Sequence, residues 1–205
     1  MGRGIFIALE GIDGSGSSTQ TQQLGRYLES IGQTVHVTAE PSHGPMGKVI
    51  RTFLQEKGQH AQFLPHILAL AFASDRLHHY EQEIRPFLEK GVAVLSDRYV
   101  LSSLVYQGLE LPDEWVASLN RYAPQPDLTV LIDVPEEIAK ERRQRRGGVE
   151  EIFDKSKVQI QVRDRYLKSA KEMGAIIVDG SGDVSSVQNH VIATIKYKIP
   201  SWKPK

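Results

Sequence analysis

The chain contains no cysteine among its 205 residues. A disulfide framework, a thiolate zinc site and a cysteine nucleophile are therefore excluded, and this composition fits a reducing compartment. Long hydrophobic runs are also missing. No apolar stretch approaches the roughly 20 residues that cross a bilayer, and the N-terminal run IFIAL is too short for a signal peptide. We therefore expect a cytoplasmic protein.

No charge of one sign dominates, because 25 Lys and Arg residues balance 25 Asp and Glu residues and the formal net charge is +0 at pH 7. This balance removes any overall electrostatic argument for nucleic acid or an anionic membrane as a partner, and we expect neither. Hydrophobic residues make up 40% and charged residues 24% of the chain, as is typical of globular proteins. The length predicts one domain over residues 1–205.

Short β-branched runs alternate with longer segments of helical period, which predicts an α/β protein with strands joined by crossover helices in a parallel sheet. The five expected strands cover residues 5–10, 35–40, 92–97, 128–133 and 175–179. Each is almost continuously apolar, which indicates burial on both faces, and each ends in a carboxylate. Because open α/β sheets bind ligands beyond the carboxyl ends of their strands, we expect the functional site at that edge.

Segments of helical period lie between these strands, and glycines punctuate them. The expected helices cover about 16–31, 65–89, 136–146, 155–173 and 184–198. Gly32, Gly91, Gly147 and Gly174 follow four of these segments, where a left-handed cap is expected.

The segment GIDGSGSST, residues 11–19, lies between the first expected strand and the first expected helix. It matches the phosphate-binding motif G-x-x-x-x-G-K-[ST] at Gly11, Gly16 and Ser18. A Gly/Ser-rich turn without a ligand is the alternative, but the strand before the loop and the helix after it favour an anion held by main-chain N–H groups. The expected phosphate-binding residues are Gly11, Ile12, Asp13, Gly14, Ser15, Gly16, Ser17, Ser18 and Thr19.

Ser17 stands where the motif carries a lysine. One unit charge about 4 Å from a phosphate is worth up to about 4 kcal/mol at an effective dielectric near 20, so its loss matters for phosphoryl transfer. A kinase with this loop must therefore supply a cation from elsewhere. Ser18 keeps the hydroxyl that would meet a magnesium ion bridging two phosphates.

Beyond the loop, the chain resembles the thymidylate kinases, P-loop enzymes that transfer a phosphoryl group from ATP to dTMP. The resemblance covers almost the whole chain and rests on the segments EGIDGSGSSTQ, EPSHGPMGKVIR, FASDR, SDRYVLSSLVYQG and PDLTVLIDVPEE. It implies a three-layer P-loop kinase fold whose five-stranded parallel sheet is flanked by helices, Mg²⁺ bound with ATP, a homodimer, and a cis peptide bond between Glu40 and Pro41.

The resemblance also implies roles for residues of the acceptor site. Asp13 matches the acid that contacts the 3′-hydroxyl of the acceptor sugar, Phe72 the aromatic that stacks on thymine, and Arg76 the arginine that bonds to the base edge. Ser103 stands where several members carry an asparagine that reaches the base. The expected dTMP-binding residues are Asp13, Phe72, Arg76, Arg98, Tyr99, Ser103 and Tyr106. Taken alone, Phe72 lies in the apolar helical stripe LALAF and is more often a core residue than a stacking platform, and only its pairing with Arg76 favours the second role.

Arg98 corresponds in this resemblance to the arginine between the donor and acceptor phosphates, and Asp97 to the acid near magnesium. Asp97 and Ser18 are therefore the expected metal-binding residues. An ordinary surface turn is the alternative for Asp97-Arg98-Tyr99, but its place after a strand favours function.

The segment ERRQRRGG lies where the resemblance implies a mobile lid, over about 142–154. One branch of the family sends lid arginines to the ATP phosphates, so Arg142, Arg143, Arg145 and Arg146 are the available replacements for the loop lysine. Arg142 and Arg146, one helical turn apart, are the expected catalytic pair beside Arg98 and Asp97. A solvated helix end is the other interpretation of this cluster.

The expected reaction is transfer of the γ-phosphoryl group of ATP to dTMP, giving dTDP. One alternative is a kinase for another deoxynucleotide. The other is a catalytically weak or inactive nucleotide-binding paralogue that acts as a sensor or a subunit. His78 and His79 are adjacent on an expected helix and cannot form a metal pair one turn apart, so we expect both on the surface.

Overall fold

The computed structural model of the chain describes residues 2–55, 62–147 and 156–199. Its centre is a five-stranded parallel sheet in the order β2-β3-β1-β4-β5. The strands are β1 Phe6–Glu10, β2 Val35–Ala39, β3 Ala93–Asp97, β4 Leu128–Asp133 and β5 Ile176–Asp179. Helices flank the sheet, so the predicted α/β class is confirmed, and each strand end lies within one residue of its expected position.

Helices connect the strands and cover both faces of the sheet. They are α1 Ser17–Ser30, α2 Pro45–Gln55, α3 Leu64–His79, α4 Arg85–Glu89, α5 Val100–Tyr106, α6 Asp113–Asn120, α7 Glu136–Arg146, α8 Ser156–Glu172 and α9 Val184–Lys198. A π-helical turn, Tyr80–Ile84, joins α3 to α4, so the helix expected over 65–89 is one continuous helical path with a wide turn inside it. The four glycines expected to cap helices all have positive φ.

Three helices, α2, α5 and α6, were not expected from the sequence. Helix α5 follows β3 within a few residues, and most of its side chains are buried, so its sequence has no polar stripe of helical period. Helix α6 begins after Pro112, and its eight residues are too short for a clear periodic signal.

The central strand β1 organises the core because all five of its residues are buried. Ile7 and Leu9 point to one face of the sheet and pack with α1 and α9. Phe6 and Ala8 point to the opposite face, where residues of α4 and α5 cover them. With β3 on one side and β4 on the other, the carboxyl end of β1 lies at the middle of the sheet edge, where open α/β sheets bind ligands.

Part of the predicted lid lies outside the described residues, namely 148–154, and the structure describes only 142–147 of it. The expected cis peptide bond between Glu40 and Pro41 is present. In the described part of the chain, no helix combines the length and the hydropathy of a membrane-spanning segment.

Candidate active site

The glycine-rich segment forms a tight loop between β1 and α1, as predicted. Gly14 and Gly16 have φ of 89° and 96°, a conformation that residues with a side chain rarely adopt. A Cβ atom at Gly14 would lie 2.3 Å from the carbonyl oxygen of Ala139, so α7 packs directly against the loop. The loop forms one wall of a cavity of ≈ 610 Å³, which residues of α7 and of the β5–α9 connection complete. We call it the donor cavity.

The hydroxyl of Ser17 points to the end of β3. It donates a hydrogen bond of 2.8 Å to Oδ1 of Asp97, and the hydroxyl of Ser18 donates to Oδ2 of the same carboxylate. Ser17 is 5% exposed, so its side chain packs below the loop. The loop, residues 11–19, therefore offers main-chain N–H groups and hydroxyls but no cationic side chain.

Ser18 lines the donor cavity, its hydroxyl contacts Asp97, and the two residues fit the expected metal site in chemistry. A hydroxyl and a carboxylate are the oxygen ligands that Mg²⁺ prefers, and this ion is usually held by one or two protein groups together with substrate phosphates.

A second cavity, of ≈ 110 Å³, lies beside α3 and α5, and we call it the acceptor pocket. All seven residues expected to bind dTMP line it: Asp13, Phe72, Arg76, Arg98, Tyr99, Ser103 and Tyr106. The structure therefore brings together residues that are up to 93 positions apart in the chain.

Among the described residues, buried polar atoms without a hydrogen-bond partner concentrate in this pocket. They include Nε of Arg76, the hydroxyl oxygens of Tyr99 and Ser103, and Oε1 of Gln107. All four residues are more than nine-tenths buried. A buried polar group left unpaired costs about 1–3 kcal/mol, so the cluster indicates a ligand that carries hydrogen-bonding groups. Sequence reasoning missed Gln107 although it lies in the segment YQG.

Arg76 is held rigidly by its own protein partners. One terminal nitrogen donates to Oδ1 of Asn120, and the other donates to the carbonyl oxygen of Tyr99 at 3.1 Å and lies 2.7 Å from Oε2 of Glu40. The side chain is 1% exposed in total. Both terminal nitrogens have protein partners, whereas Nε has no hydrogen-bond partner in the described part of the chain and is available to a ligand in the acceptor pocket.

Asp13 and Arg98 line both cavities and therefore mark their junction. Nη2 of Arg98 lies 2.5 Å from Oδ1 of Asp13. The backbone of Arg98 has φ of 70°, the left-handed conformation, and its N–H donates to the carbonyl oxygen of Leu9 at 2.8 Å. This turn directs the guanidinium group from the end of β3 into the gap between the cavities.

The residues that support Arg98 and Asp13 come largely from α8 and were missed by sequence reasoning. Nη1 of Arg98 donates to the hydroxyl of Tyr166 at 3.1 Å, and Nε2 of Gln159 donates to Oδ2 of Asp13 at 2.9 Å. Tyr166 and Gln159 share a buried face of α8 with Val162. A glutamine inside an otherwise apolar stripe is the signal that could have identified this face.

Glu10, at the carboxyl end of β1, connects this support to α5. It is fully buried and accepts hydrogen bonds from the N–H of Tyr99 at 2.8 Å and from the hydroxyl of Ser102 at 2.5 Å. Burial raises the pKa of Glu10, although the hydrogen bond from Ser102 and the charge of Arg98 oppose the rise. The carboxylate thus fixes the start of α5 relative to the sheet.

The lid arginines divide into two groups. Arg142 and Arg143 contact main-chain carbonyl oxygens of the glycine-rich loop, at Ser15 and Asp13 respectively. Arg145 and Arg146 are exposed, and Arg145 pairs weakly with Glu141 at 3.5 Å. Among the described residues, Arg146 has no hydrogen-bond or ion-pair partner, although it lines the donor cavity.

One expectation from the sequence is wrong. His79 is not on the surface: it is 2% exposed and contacts Thr38, Glu40 and Glu83. The preceding residue, His78, is exposed as expected. The two differ because adjacent helical residues point about 100° apart, and β2 covers the side of α3 that carries His79.

The sheet is parallel and carries a phosphate-binding loop at the end of its central strand, and an arginine lies between a donor cavity and a separate acceptor pocket. These features define the class of P-loop nucleotide kinases. Residues 9–191 match the family model of thymidylate kinase, and the chain belongs to this family. It is thus a nucleoside monophosphate kinase of the family that phosphorylates dTMP to dTDP.

Curated relatives match along nearly their whole length. The chain is 41% identical to a probable thymidylate kinase of Thermococcus kodakarensis over 202 residues, which is 94% of this chain and 97% of that protein. It is 38% identical to a probable thymidylate kinase of Pyrococcus abyssi, covering 96% and 98% of the two chains. A probable thymidylate kinase of Pyrobaculum aerophilum is 40% identical, with 93% and 96% covered.

Proposed function

We propose that this chain transfers the γ-phosphoryl group of ATP, bound with Mg²⁺, to the phosphate of dTMP and releases ADP and dTDP. The observation that carries the proposal is the meeting of two cavities at Asp13 and Arg98. A donor on the glycine-rich loop and an acceptor in the second pocket would bring their phosphates to the same guanidinium group. Positioning of this kind, together with charge stabilisation, accounts for most of the catalysis of phosphoryl transfer.

The donor side of this mechanism rests on the loop and on the N-terminus of α1. Main-chain N–H groups of the loop and the partial positive charge of the helix bind the phosphates, while Ser18 and Asp97 would hold Mg²⁺. When bound, the ion neutralises charge on the phosphate oxygens. An oxygen of the dTMP phosphate attacks the γ-phosphorus in line as the bond to ADP breaks, and Arg98 stabilises the charge between them.

The acceptor side would select thymine through shape and hydrogen bonding. Phe72 is partly buried in the wall of the pocket and offers a ring face to the base. Nε of Arg76 can donate to a carbonyl oxygen of the base, and the hydroxyl of Ser103 and Oε1 of Gln107 can complete the contacts. The imide edge of thymine presents two carbonyl oxygens and one N–H, which matches these groups.

The positive charge that Ser17 does not supply would come from the lid. Arg142 and Arg146 are the predicted catalytic pair, and Arg146 is the one with no partner in the described part of the chain. Replacing both by alanine should lower kcat by orders of magnitude and leave dTMP affinity nearly unchanged, because the acceptor pocket contains neither residue. Wild-type kcat in this variant would refute the role of the lid.

A homodimer fits an exposed apolar stripe at the start of α3 and along it. Phe63, Ile67, Leu70 and Leu77 follow helical spacing and are 61%, 41%, 52% and 42% exposed. We propose a second copy of this chain as its partner. Replacing Leu70 by glutamate should convert the dimer to a monomer in sedimentation velocity, whereas Tyr197→Glu, far from α3, should not. A wild-type chain that sediments as a monomer would contradict the proposal.

Turnover with ATP and Mg²⁺ over a panel of dTMP, dUMP, dCMP, dAMP and dGMP tests the proposed function. We expect dTMP to have the highest kcat/KM by about 10-fold or more over dCMP, because dCMP leaves buried polar atoms unpaired. Another preferred nucleotide would support a kinase for that substrate. Tight nucleotide binding without turnover would instead support the sensor or subunit.

A cytoplasmic location stays a prediction from the sequence.

A further inference from the structure

The outer side of the glycine-rich loop is tied to α7 by two neighbouring arginines. Nη1 of Arg142 donates to the carbonyl oxygen of Ser15 at 2.9 Å, and Nη1 of Arg143 donates to the carbonyl oxygen of Asp13. A loop that turns its N–H groups inward to an anion turns carbonyl oxygens outward, and these oxygens need donors. The two arginines therefore contact the parts of the loop that a bound phosphate cannot reach.

Arg142 also joins the loop to the opposite wall of the donor cavity. Its Nη2 donates to the carbonyl oxygens of Gly180 and Gly182 at 2.9 Å and 3.1 Å, in the connection between β5 and α9. One planar guanidinium group thus binds three carbonyl oxygens from two separate segments. A lysine ammonium could not reproduce this fork geometry.

The two arginines differ in how their charge is balanced. Arg143 lies 2.7 Å from Oε1 of Glu136, two turns earlier on α7, and both side chains are at most 10% exposed. Arg142 has no carboxylate partner among the described residues, so its positive charge is compensated only by carbonyl dipoles. A fixed cation therefore lies beside a loop that has none of its own.

We propose that Arg142 and Arg143 are positioning residues that hold the loop in its anion-binding conformation, and that Arg142 supplies ground-state affinity for the donor nucleotide that the serine at position 17 does not. The inference rests on the proposed donor site and revises the predicted role of Arg142 in transfer itself. Arg142 cannot reach a transferring phosphate without giving up three hydrogen bonds. Arg146 is then the lid arginine that acts on the transition state.

The test uses the full chain and separates nucleotide binding from turnover. Arg142→Met keeps an unbranched apolar stem and removes both the charge and the hydrogen bonds, whereas Arg142→Lys keeps the charge but loses the planar guanidinium group. Lys140→Met, an exposed lysine on the same helix, is the matched control. ADP affinity is measured by calorimetry, without Mg²⁺ or acceptor, beside KM and kcat for ATP and for dTMP. Thermal unfolding shows whether each variant is folded.

We expect Arg142→Met to weaken ADP affinity and to raise the KM for ATP by about 10-fold or more. Without Arg142 the loop leaves its anion-binding conformation and loses several charge-assisted hydrogen bonds to the phosphates. The kcat at saturating ATP should change less than about 3-fold, since the lost interaction stabilises the bound ground state and the transition state equally. Arg142→Lys should resemble Arg142→Met.

The opposite pattern would overturn the proposal. If Arg142 acts in transfer itself, Arg142→Met lowers kcat by about 100-fold or more while ADP affinity stays at the wild-type value. Unchanged ADP affinity with unchanged kinetics would also contradict it. Because ADP binding requires no acceptor, the ADP affinities still test the role of Arg142 even if dTMP proves not to be the substrate.

Discussion

Arg98 adopts a strained backbone conformation in order to place its side chain. Its φ of 70° costs of order 1 kcal/mol for a residue with a Cβ atom, and bonds at both of its main-chain polar groups hold it there. The N–H donates to Leu9, and the carbonyl oxygen accepts from the hydroxyl of Ser96 at 2.7 Å. The two bonds stabilise the strained conformation, which directs the guanidinium group to the junction of the two cavities.

We expect Arg98→Met to lower kcat with dTMP by at least about 100-fold, because the charge that develops between donor and acceptor would lose the guanidinium group at the junction of the two cavities. Arg98→Lys keeps the charge without the planar guanidinium group, so its kcat should lie between those of wild type and Arg98→Met. The exposed Arg121, replaced by methionine, is the matched control. Steady-state kinetics and thermal unfolding measure the effect, and a kcat within threefold of wild type would contradict it.

Gln107 offers a second test at the scale of a residue. Its Oε1 is buried in the acceptor pocket, one turn after Ser103, and has no hydrogen-bond partner among the residues that the structure describes. Gln107→Leu should raise the KM for dTMP about 10-fold and leave kcat within about 3-fold, because a ground-state contact is lost. Gln82→Leu, an exposed position on the π-helical turn, is the control. An unchanged KM would place the base elsewhere.

At the scale of elements, the site depends on helix α8, which belongs to neither cavity's main wall. Tyr166 and Gln159 hold the two junction residues from more than 60 positions away in sequence. The hydroxyl of Tyr166 also lies 2.7 Å from that of Ser102, which donates to Glu10. Helix α8 thus stiffens the junction through one continuous set of polar contacts.

Tyr166→Phe should therefore lower kcat about 10-fold with little change in the KM for ATP, because Arg98 loses a fixed neighbour but stays in place. The ring itself remains packed against Tyr106, so the melting temperature should shift by only a few degrees. Tyr122→Phe, on the surface, is the control. A variant with wild-type kcat at every pH would show that the hydroxyl has no positioning role.

The same scale shows what sequence reasoning could reach. Strands of buried β-branched residues can be recognised from the local sequence, and the loop motif is contiguous in the chain. Both were therefore predicted to within a residue. The roles in the acceptor pocket came from resemblance. Gln159, Tyr166 and the buried state of His79 depend on which elements pack together, and no local pattern carries that information. The loop contacts of Arg142 and Arg143 belong to the same class, since they join α7 to the ends of β1 and β5.

On the scale of the whole molecule, a series of ion pairs that is buried at Arg76, Glu40 and His79 connects the end of edge strand β2 to the helical layer. Arg76 pairs with Glu40, Glu40 with His79, and His79 with Glu83, which also binds His36 at 2.8 Å. Burial alone would lower the pKa of His79, but hydrogen bonds and charges from Glu40 and Glu83 outweigh it and raise the pKa to about 9. The pKa of Glu83 is lowered, chiefly by its hydrogen bond from His36.

This network predicts that the stability of the protein falls as pH rises above neutrality. The raised pKa of His79 means that the folded state binds more protons than the unfolded chain, so its contribution is present below about pH 6.5 and is lost through pH 9. The shift corresponds to about 3 kcal/mol. Because the chain has no cysteine, no thiol titrates in this window. Denaturant unfolding at pH 6.5, 8 and 9.5 should show that the free energy of unfolding falls with pH in wild type and in the exposed control His78→Gln. In His79→Gln the free energy of unfolding should be lower at pH 6.5 and should change less with pH. Equal slopes in His79→Gln and wild type would assign the pH dependence to other groups.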